Sequence, residues 1–255
     1  MITIRELKKQ YGKTVALDNV CFEVKDSVIF GLVGPNGAGK STIINILTGI
    51  IKKTSGTVSI LGFDIDKETK EIKKKMGVIP EMSALFEGLT GWEHLVFVSE
   101  IFDLEREIYN KKIMELLEYF DIYKEKDRLI STYSQGMKRK LSFISAIIHD
   151  PDILFLDEPF ENVDPVSRKK MKDVLKKMQE KGTDIFITSH ALAEVENFCD
   201  EVAIINKGKI VYQSKTKDIR KEIKNSITNE TYQSLEEIFL DLTTDVDNTK
   251  EMTWL

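Results

Sequence analysis

The chain has 255 residues, room for one large domain or one domain with a subdomain. Its net charge of −5 argues against a general nucleic-acid binder, and no apolar run approaches the ~18 residues that a membrane-spanning helix needs. Met1-Ile2-Thr3-Ile4-Arg5 lacks the layout of a secretion signal; Cys21 and Cys199, far apart in apolar sequence, read as small core residues of a reducing compartment.

Residues 1 to 33 read as β-rich. Alternation in Val20-Cys21-Phe22-Glu23-Val24 and a turn at Tyr11-Gly12-Lys13 predict antiparallel strands. The apolar run from Ser27 to Val33 predicts a buried strand. Gly34-Pro35-Asn36-Gly37-Ala38-Gly39-Lys40-Ser41 then fills every fixed position of the P-loop pattern G-x-x-x-x-G-K-[ST], and Thr42-Ile43-Ile44-Asn45-Ile46-Leu47 predicts a helix. Strand, Gly-rich turn and helix N-terminus together make an anion cradle, because backbone N–H groups converge where glycine permits and the helix dipole adds positive potential. In this motif Lys40 reaches the β- and γ-phosphates and Ser41 binds Mg²⁺. Ser55-Gly56 is expected to turn the chain into a strand at Thr57-Val58-Ser59-Ile60-Leu61.

From about 88 to 148 the pattern turns helical. Thr90-Gly91-Trp92-Glu93 is a capping box ahead of Trp92, Leu95 and Val96 on one face, and Ile113, Leu116, Leu117 and Phe120 repeat a helical stripe. Such stripes are most simply core. The α/β alternation then resumes with a strand at Ile153-Leu154-Phe155-Leu156. Asp164-Pro165 opens a helix to about Gln179, Asp184 to Thr188 is a strand, and Asn206-Lys207-Gly208 turns a hairpin. Ser234-Leu235-Glu236-Glu237 caps a last helix with Leu235, Ile238, Phe239 and Leu242 on one face.

The apolar strand ending in Asp157-Glu158 is the second chemical signal. Parallel sheets bind ligands beyond the carboxyl ends of their strands, so this acidic pair and the P-loop belong on one rim. Asp157 is expected to hold Mg²⁺, through water, and Glu158 to polarise the attacking water.

The order and spacing of GPNGAGKS, ILFLDEP, a Ser-x-Gly string between them and a His after the next strand resemble the nucleotide-binding subunit of ATP-binding cassette (ABC) transporters, exporter-type prokaryotic members above all. The resemblance covers residues 1 to about 220. It implies an α/β fold: a P-loop NTPase core with an N-terminal antiparallel β subdomain and an α-helical signature subdomain inserted at about 88–148, followed by a helical tail from 221 to 255.

Tyr133-Ser134-Gln135-Gly136-Met137 is similar to the family's signature loop, keeping Ser134 and Gly136. The resemblance implies that Ser134, Gln135 and Gly136 bind the γ-phosphate held by the opposite subunit; read locally, Ser134 is a helix cap. His190 is similar to the switch histidine that contacts the γ-phosphate, and Tyr11 to the aromatic that stacks on adenine, although by itself Tyr11 reads equally as a turn residue. Thr42 would contact the α- or β-phosphate. One departure stands out: where the family has Gln, this chain has Glu81. A carboxylate can still ligate Mg²⁺, but it adds negative charge beside the phosphates.

The function implied is Mg-ATP hydrolysis in a two-site sandwich dimer, powering transport, export before import, by a separate transmembrane permease. The permease would dock at Leu85-Phe86-Glu87-Gly88-Leu89 and the helical block. The partners implied are a second nucleotide-binding subunit and the permease, not nucleic acid, which puts the chain in the cytoplasm on the inner face of the cell membrane. A non-transport cassette ATPase acting on DNA or ribosomes is the alternative, but the long coiled coil or second cassette of such relatives is missing. A GTPase would need Asn-Lys-x-Asp, and Asn206-Lys207-Gly208-Lys209 lacks the carboxylate. A catalytically silent binder is at odds with intact Lys40, Asp157, Glu158 and His190.

Overall fold

Alternating apolar residues at the amino end build an antiparallel ladder, β1 (Ile2–Tyr11) on β2 (Thr14–Val24), with Ile2 opposite Val24 and Tyr11 opposite Thr14. The computed structural model describes residues 1–81, 84–219, 232 and 234–243. After β2 the chain enters β3 (Ile29–Val33), buried along its whole length, and then α1 (Lys40–Leu47). β4 (Ser55–Ile60) and β5 (Phe63–Asp64) complete a four-stranded antiparallel sheet in the order β2-β1-β4-β5.

Ser55-Gly56 is not the turn the sequence suggests. Gly56 lies inside β4 at φ 93°, where β1 slips register between Arg5 and Lys8, and a Cβ there would sit 2.4 Å from the Glu6 carbonyl. The dipeptide therefore marks a bulge, which needs the same glycine conformation as a turn.

α2 (Thr69–Lys74) leads into β6 (Met76–Ile79). The helical block consists of α3 (Gly91–Ile101), α4 (Arg106–Tyr119) and α5 (Gln135–Ile147). Both halves of the capping box on α3 form: Glu93 N–H donates to Thr90 Oγ1 at 3.2 Å, and Thr90 N–H donates to Glu93 Oε2 at 2.8 Å. Ile113, Leu117 and Phe120 of the second stripe are fully buried, as are Leu141, Ile144 and Ile148 along and just beyond α5.

The second sheet follows. β7 (Ile153–Asp157), α6 (Pro165–Glu180), β8 (Asp184–Ser189), α7 (Leu192–Phe198), β9 (Glu201–Asn206) and β10 (Lys209–Lys215) assemble with β3 and β6 in the order β10-β9-β3-β8-β7-β6. Five strands are parallel and β10 closes the edge antiparallel. Between the two sheets Phe22 stacks on Phe30 at 5.6 Å and Phe30 on Phe186 at 5.3 Å, with Ile43 and Ile46 of α1 beside them. The other face of the parallel sheet is covered by α5, α6 and α7. α8 (Leu235–Thr243) packs on α7 and β9 through buried Leu235 and Ile238, and Ser234 Oγ accepts from Glu237 N–H at 3.3 Å. The rest of the expected tail lies outside the described residues.

The β9–β10 turn reaches back across the molecule. Lys207 and Gly208 both have positive φ, as a tight hairpin requires. Gly208 N–H donates to Ala38 O at 3.0 Å, and Gly208 O accepts from Asp18 N–H at 2.9 Å. One turn thereby ties the antiparallel sheet to the loop after β3.

One other expectation needs correction. Cys199 is buried, but Cys21 is exposed on β2, where its Sγ accepts from Glu6 N–H at 3.1 Å. The short α2 and α7 and the four-residue β6 carry no pattern long enough to stand out in the sequence.

Candidate active site

β3, β7 and β8 deliver their last residues to one rim. From β3 the chain enters the loop 34–39. A Cβ at Gly34 would lie 2.4 Å from Ile205 O, so only glycine lets the loop pass under β9. Gly39, at φ 113°, precedes α1 without any side-chain cap, leaving the first N–H groups of that helix for another acceptor. Lys40 is buried, and its Nζ donates to Gly34 O at 2.6 Å and Pro35 O at 3.3 Å. Burial pushes its pKa down, while the carboxylates of Glu158, Asp157 and Glu81 hold it up.

A cavity of about 310 Å³ opens over this loop, lined by Asn36, Gly37, Gly39, Lys40, Ser41 and Thr42 on one side and by Glu81, Asp157 and Glu158 on the other, with Ala16 of β2 at its edge. Asp157, the last residue of β7, is 4% exposed, and Thr188 of β8 donates a short hydrogen bond to its Oδ1. Glu158 follows at φ 47°, a left-handed turn that swings its side chain off the strand. Its N–H donates to Thr188 O at 3.2 Å, and His190 Nδ1 lies 3.0 Å from its Oε1. The rim thus joins a phosphate cradle, a buried cation, a buried and a partly buried carboxylate, and a histidine.

Not every predicted residue reaches this cavity. Tyr11 is 47% exposed at the β1–β2 hairpin, with Lys9 Nζ 4.6 Å above its ring, and Ala16 rather than Tyr11 lines the wall. Ser134, Gln135 and Gly136 lie elsewhere, at the head of α5. Ser134 caps that helix, accepting from Met137 N–H at 3.2 Å, and both Ser134 and Gln135 are exposed. Gly136 faces Asn162 O.

Two residues that the sequence reading passes over support the site. Thr188 orients Asp157. Arg139, 6% exposed, sends its guanidinium into the main chain behind the carboxylates. Its signal was Ser142, Phe143 and Ala146, which place Arg139 on a second buried stripe of α5 at i, i+3, i+4 and i+7. A larger cavity, about 730 Å³, lies at the amino ends of β3 and β9, by Val28 and Glu201, where a parallel sheet offers no phosphate cradle.

The fold and rim define a P-loop ATPase. The chain belongs to the ABC transporter family, whose sequence pattern matches residues 17–161. It is 37% identical over 211 residues to the linearmycin resistance ATP-binding protein LnrL of Bacillus subtilis (strain 168), covering 83% of this chain and 68% of that protein. Among solved structures, the ATP-binding subunit of an ABC transporter superposes with a TM-score of 0.88 at 28% identity, covering 96% of this chain and all of that one. A dimeric bacterial ABC transporter cassette superposes at 0.78 and 25% identity, covering 85% of this chain and 99% of its own. The protein is an ATP-hydrolysing subunit of an ABC transporter. Among the described residues no helix is long and apolar enough to cross a membrane.

Proposed function

We propose that this subunit hydrolyses ATP with Glu158 as base, in a dimer where each nucleotide lies between the P-loop of one subunit and the signature loop of the other, and that a membrane permease takes up the motion. The observation that carries the reading is the left-handed turn at Glu158, which brings a carboxylate held by His190 onto the rim that Lys40 and Ser41 occupy.

Phosphate oxygens entering the cradle would replace Gly34 O and Pro35 O as acceptors from Lys40, while the free N–H groups of α1 and Thr42 bind the neighbouring phosphates. The donor set suits Mg²⁺: the Ser41 hydroxyl, Asp157 and Glu81 are hard oxygen ligands around one cavity, and Asp157 is preoriented by Thr188. Bound Mg²⁺ would neutralise charge between the β- and γ-phosphates. Glu158 accepts a proton from the attacking water as the γ-phosphoryl group passes to its oxygen, giving ADP and inorganic phosphate. His190 holds Glu158 in place and reaches the γ-phosphate.

The exposed Ser134 and Gln135 lie outside their own subunit's cavity and head a helix, which suits capture of a phosphate from a second copy. Tyr11, on the β1–β2 hairpin outside the cavity, would offer adenine a flat exposed face. A groove of about 450 Å³ beside Pro80 carries Leu85, exposed Phe86 and Phe97, and Ile101. It is strongly apolar and begins one residue from Glu81, so a permease loop seated there would feel the cavity through Pro80. This groove favours a membrane partner over DNA or a ribosome, which an acidic chain would repel. Export is the direction suggested by a relative named for linearmycin resistance. The subunit would sit on the cytoplasmic face of the membrane, and α8 would cover apolar surface of the cassette.

The test is light scattering of Glu158→Gln with and without Mg-ATP, beside wild-type turnover. A nucleotide-dependent dimer with hydrolysis lost supports the sandwich. A variant that stays monomeric while the wild type turns over counts against it.

A further inference from the structure

Arg139 is a buried cation with no carboxylate bonded to it among the described residues. It lies five residues past the Ser134 cap, and its guanidinium donates only to main-chain carbonyls: Nη1 to Pro80 O at 2.9 Å, Nε to Pro159 O at 3.3 Å, and Nη2 to Asp157 O at 2.7 Å and to Glu158 O by a short bond. Burial depresses its pKa, and the carboxylates of Glu161, Asp157, Glu158 and Glu81 sustain its charge. Three of the four carbonyls belong to the turn that carries the base, and the fourth precedes Glu81.

That turn needs holding. Glu158 has a Cβ and sits at φ 47°, a conformation that residues other than glycine, Asn and Asp avoid. Its N–H is tied to Thr188 O; its carbonyl takes both Arg139 and the N–H of Glu161, at 3.2 Å. A planar fork with five donors can serve four carbonyls at once, which the single ammonium of lysine cannot match.

We propose that Arg139 is a positioning residue for hydrolysis: it fixes the left-handed turn of Glu158 and connects it rigidly to the signature helix, so that a phosphate engaged at Ser134 is felt by the base of the same subunit. The idea rests on Glu158 being the base. Arg139 itself touches no nucleotide. Each subunit would thereby couple the two composite sites, since its signature loop serves one nucleotide and its Glu158 the other.

The experiment compares Arg139→Met, Arg139→Lys and Glu158→Gln, singly and with Arg139→Met and Glu158→Gln combined. Turnover is measured in steady state and in a single turnover with labelled ATP, nucleotide affinity with a fluorescent ATP analogue, and folding by thermal melting. Arg139→Met is expected to lower kcat by roughly a hundredfold while analogue affinity stays within about threefold, Arg139→Lys to recover part of the loss, and Arg139→Met to cost little more once Glu158 is already Gln. Wild-type turnover in Arg139→Met, an undiminished further loss on top of Glu158→Gln, or an Arg139→Lys variant no better than Arg139→Met would each overturn the proposal. If Arg139→Met does not fold, Arg139→Lys decides: a kcat loss at unchanged affinity supports the role, and wild-type kcat removes it. If Glu158→Gln alone turns over normally, the base assignment fails with Arg139 intact, and this proposal falls with it.

Discussion

His190 Nδ1 stands 3.0 Å from Glu158 Oε1, joining the end of β8 to the residue after β7. The histidine is 63% exposed and the carboxylate 13%, so an accessible imidazole holds a largely covered carboxylate. His190→Ala should lower kcat by about a hundred- to a thousandfold with little change in nucleotide affinity, because the cradle is untouched. Steady-state kinetics beside a binding titration check this; parallel losses in kcat and affinity would refute a role confined to catalysis.

Glu81 adds a third carboxylate to the wall facing Lys40. Glu81→Gln removes one negative charge near the phosphates. Metal-free ATP should then bind several-fold more tightly, and turnover should depend less steeply on Mg²⁺. Titration of ATP in EDTA and of Mg²⁺ in the turnover assay reads both. Unchanged curves would remove Glu81 from the metal site.

The groove beside Pro80 exposes Phe86 and Phe97, whose rings meet edge-on at 5.1 Å. Phe86→Ser with Phe97→Ser should leave the isolated subunit's basal turnover intact and abolish its co-purification with membranes holding the permease. Retained co-purification would move the docking surface elsewhere.

His94, buried in the wall of that groove, ties stability to pH. Ser145 Oγ donates to Leu141 O at 2.8 Å, so His94 Nε2 must donate to Ser145 Oγ, at 3.1 Å, and Nδ1 has no partner among the described residues. Burial pushes the His94 pKa down to about 4. Between the unfolded value of about 6.5 and 4 the unfolded chain binds a proton that the folded chain does not. Stability should be full above about pH 6.5, fall as pH drops through that window, and level off below it with respect to this group. Urea unfolding of wild type and His94→Gln at pH 7 and pH 5 tests the sign: the wild type should lose more. An equal loss in both would assign the pH effect to other groups.

Much of this architecture is written locally. The Thr90–Glu93 box, the Asp164 cap with Pro165, and the glycines of the 34–39 loop act within a few residues, and each forms where the sequence implies it. The buried strands around Asp157 and Thr188 follow from apolar runs too short to be helices. What escapes is tertiary. Arg139 sits between two lysines, and the stripe with Ser142, Phe143 and Ala146 marks it as inward without telling that Pro80 and the 157–159 turn are what it meets. Gly56 signals a positive φ, but nothing local separates a bulge from a turn. Ser134 and Tyr11 lie outside the cavity, and no pattern local to either residue tells how far from it the fold sets them.

The β9–β10 turn gives the nucleotide site a dependence that no motif marks. Gly208 holds Ala38 of the phosphate loop and Asp18 of β2, and a Cβ there would press on Ala16 O, 2.6 Å away, behind the cavity wall. A methyl group added about 170 residues downstream of the P-loop would thus act as a wedge between two sheets, widening the seat for the nucleotide. Drift or insertion at that turn could detune ATP affinity while leaving every recognisable sequence signature intact, and a binding titration of Gly208→Ala would measure how far.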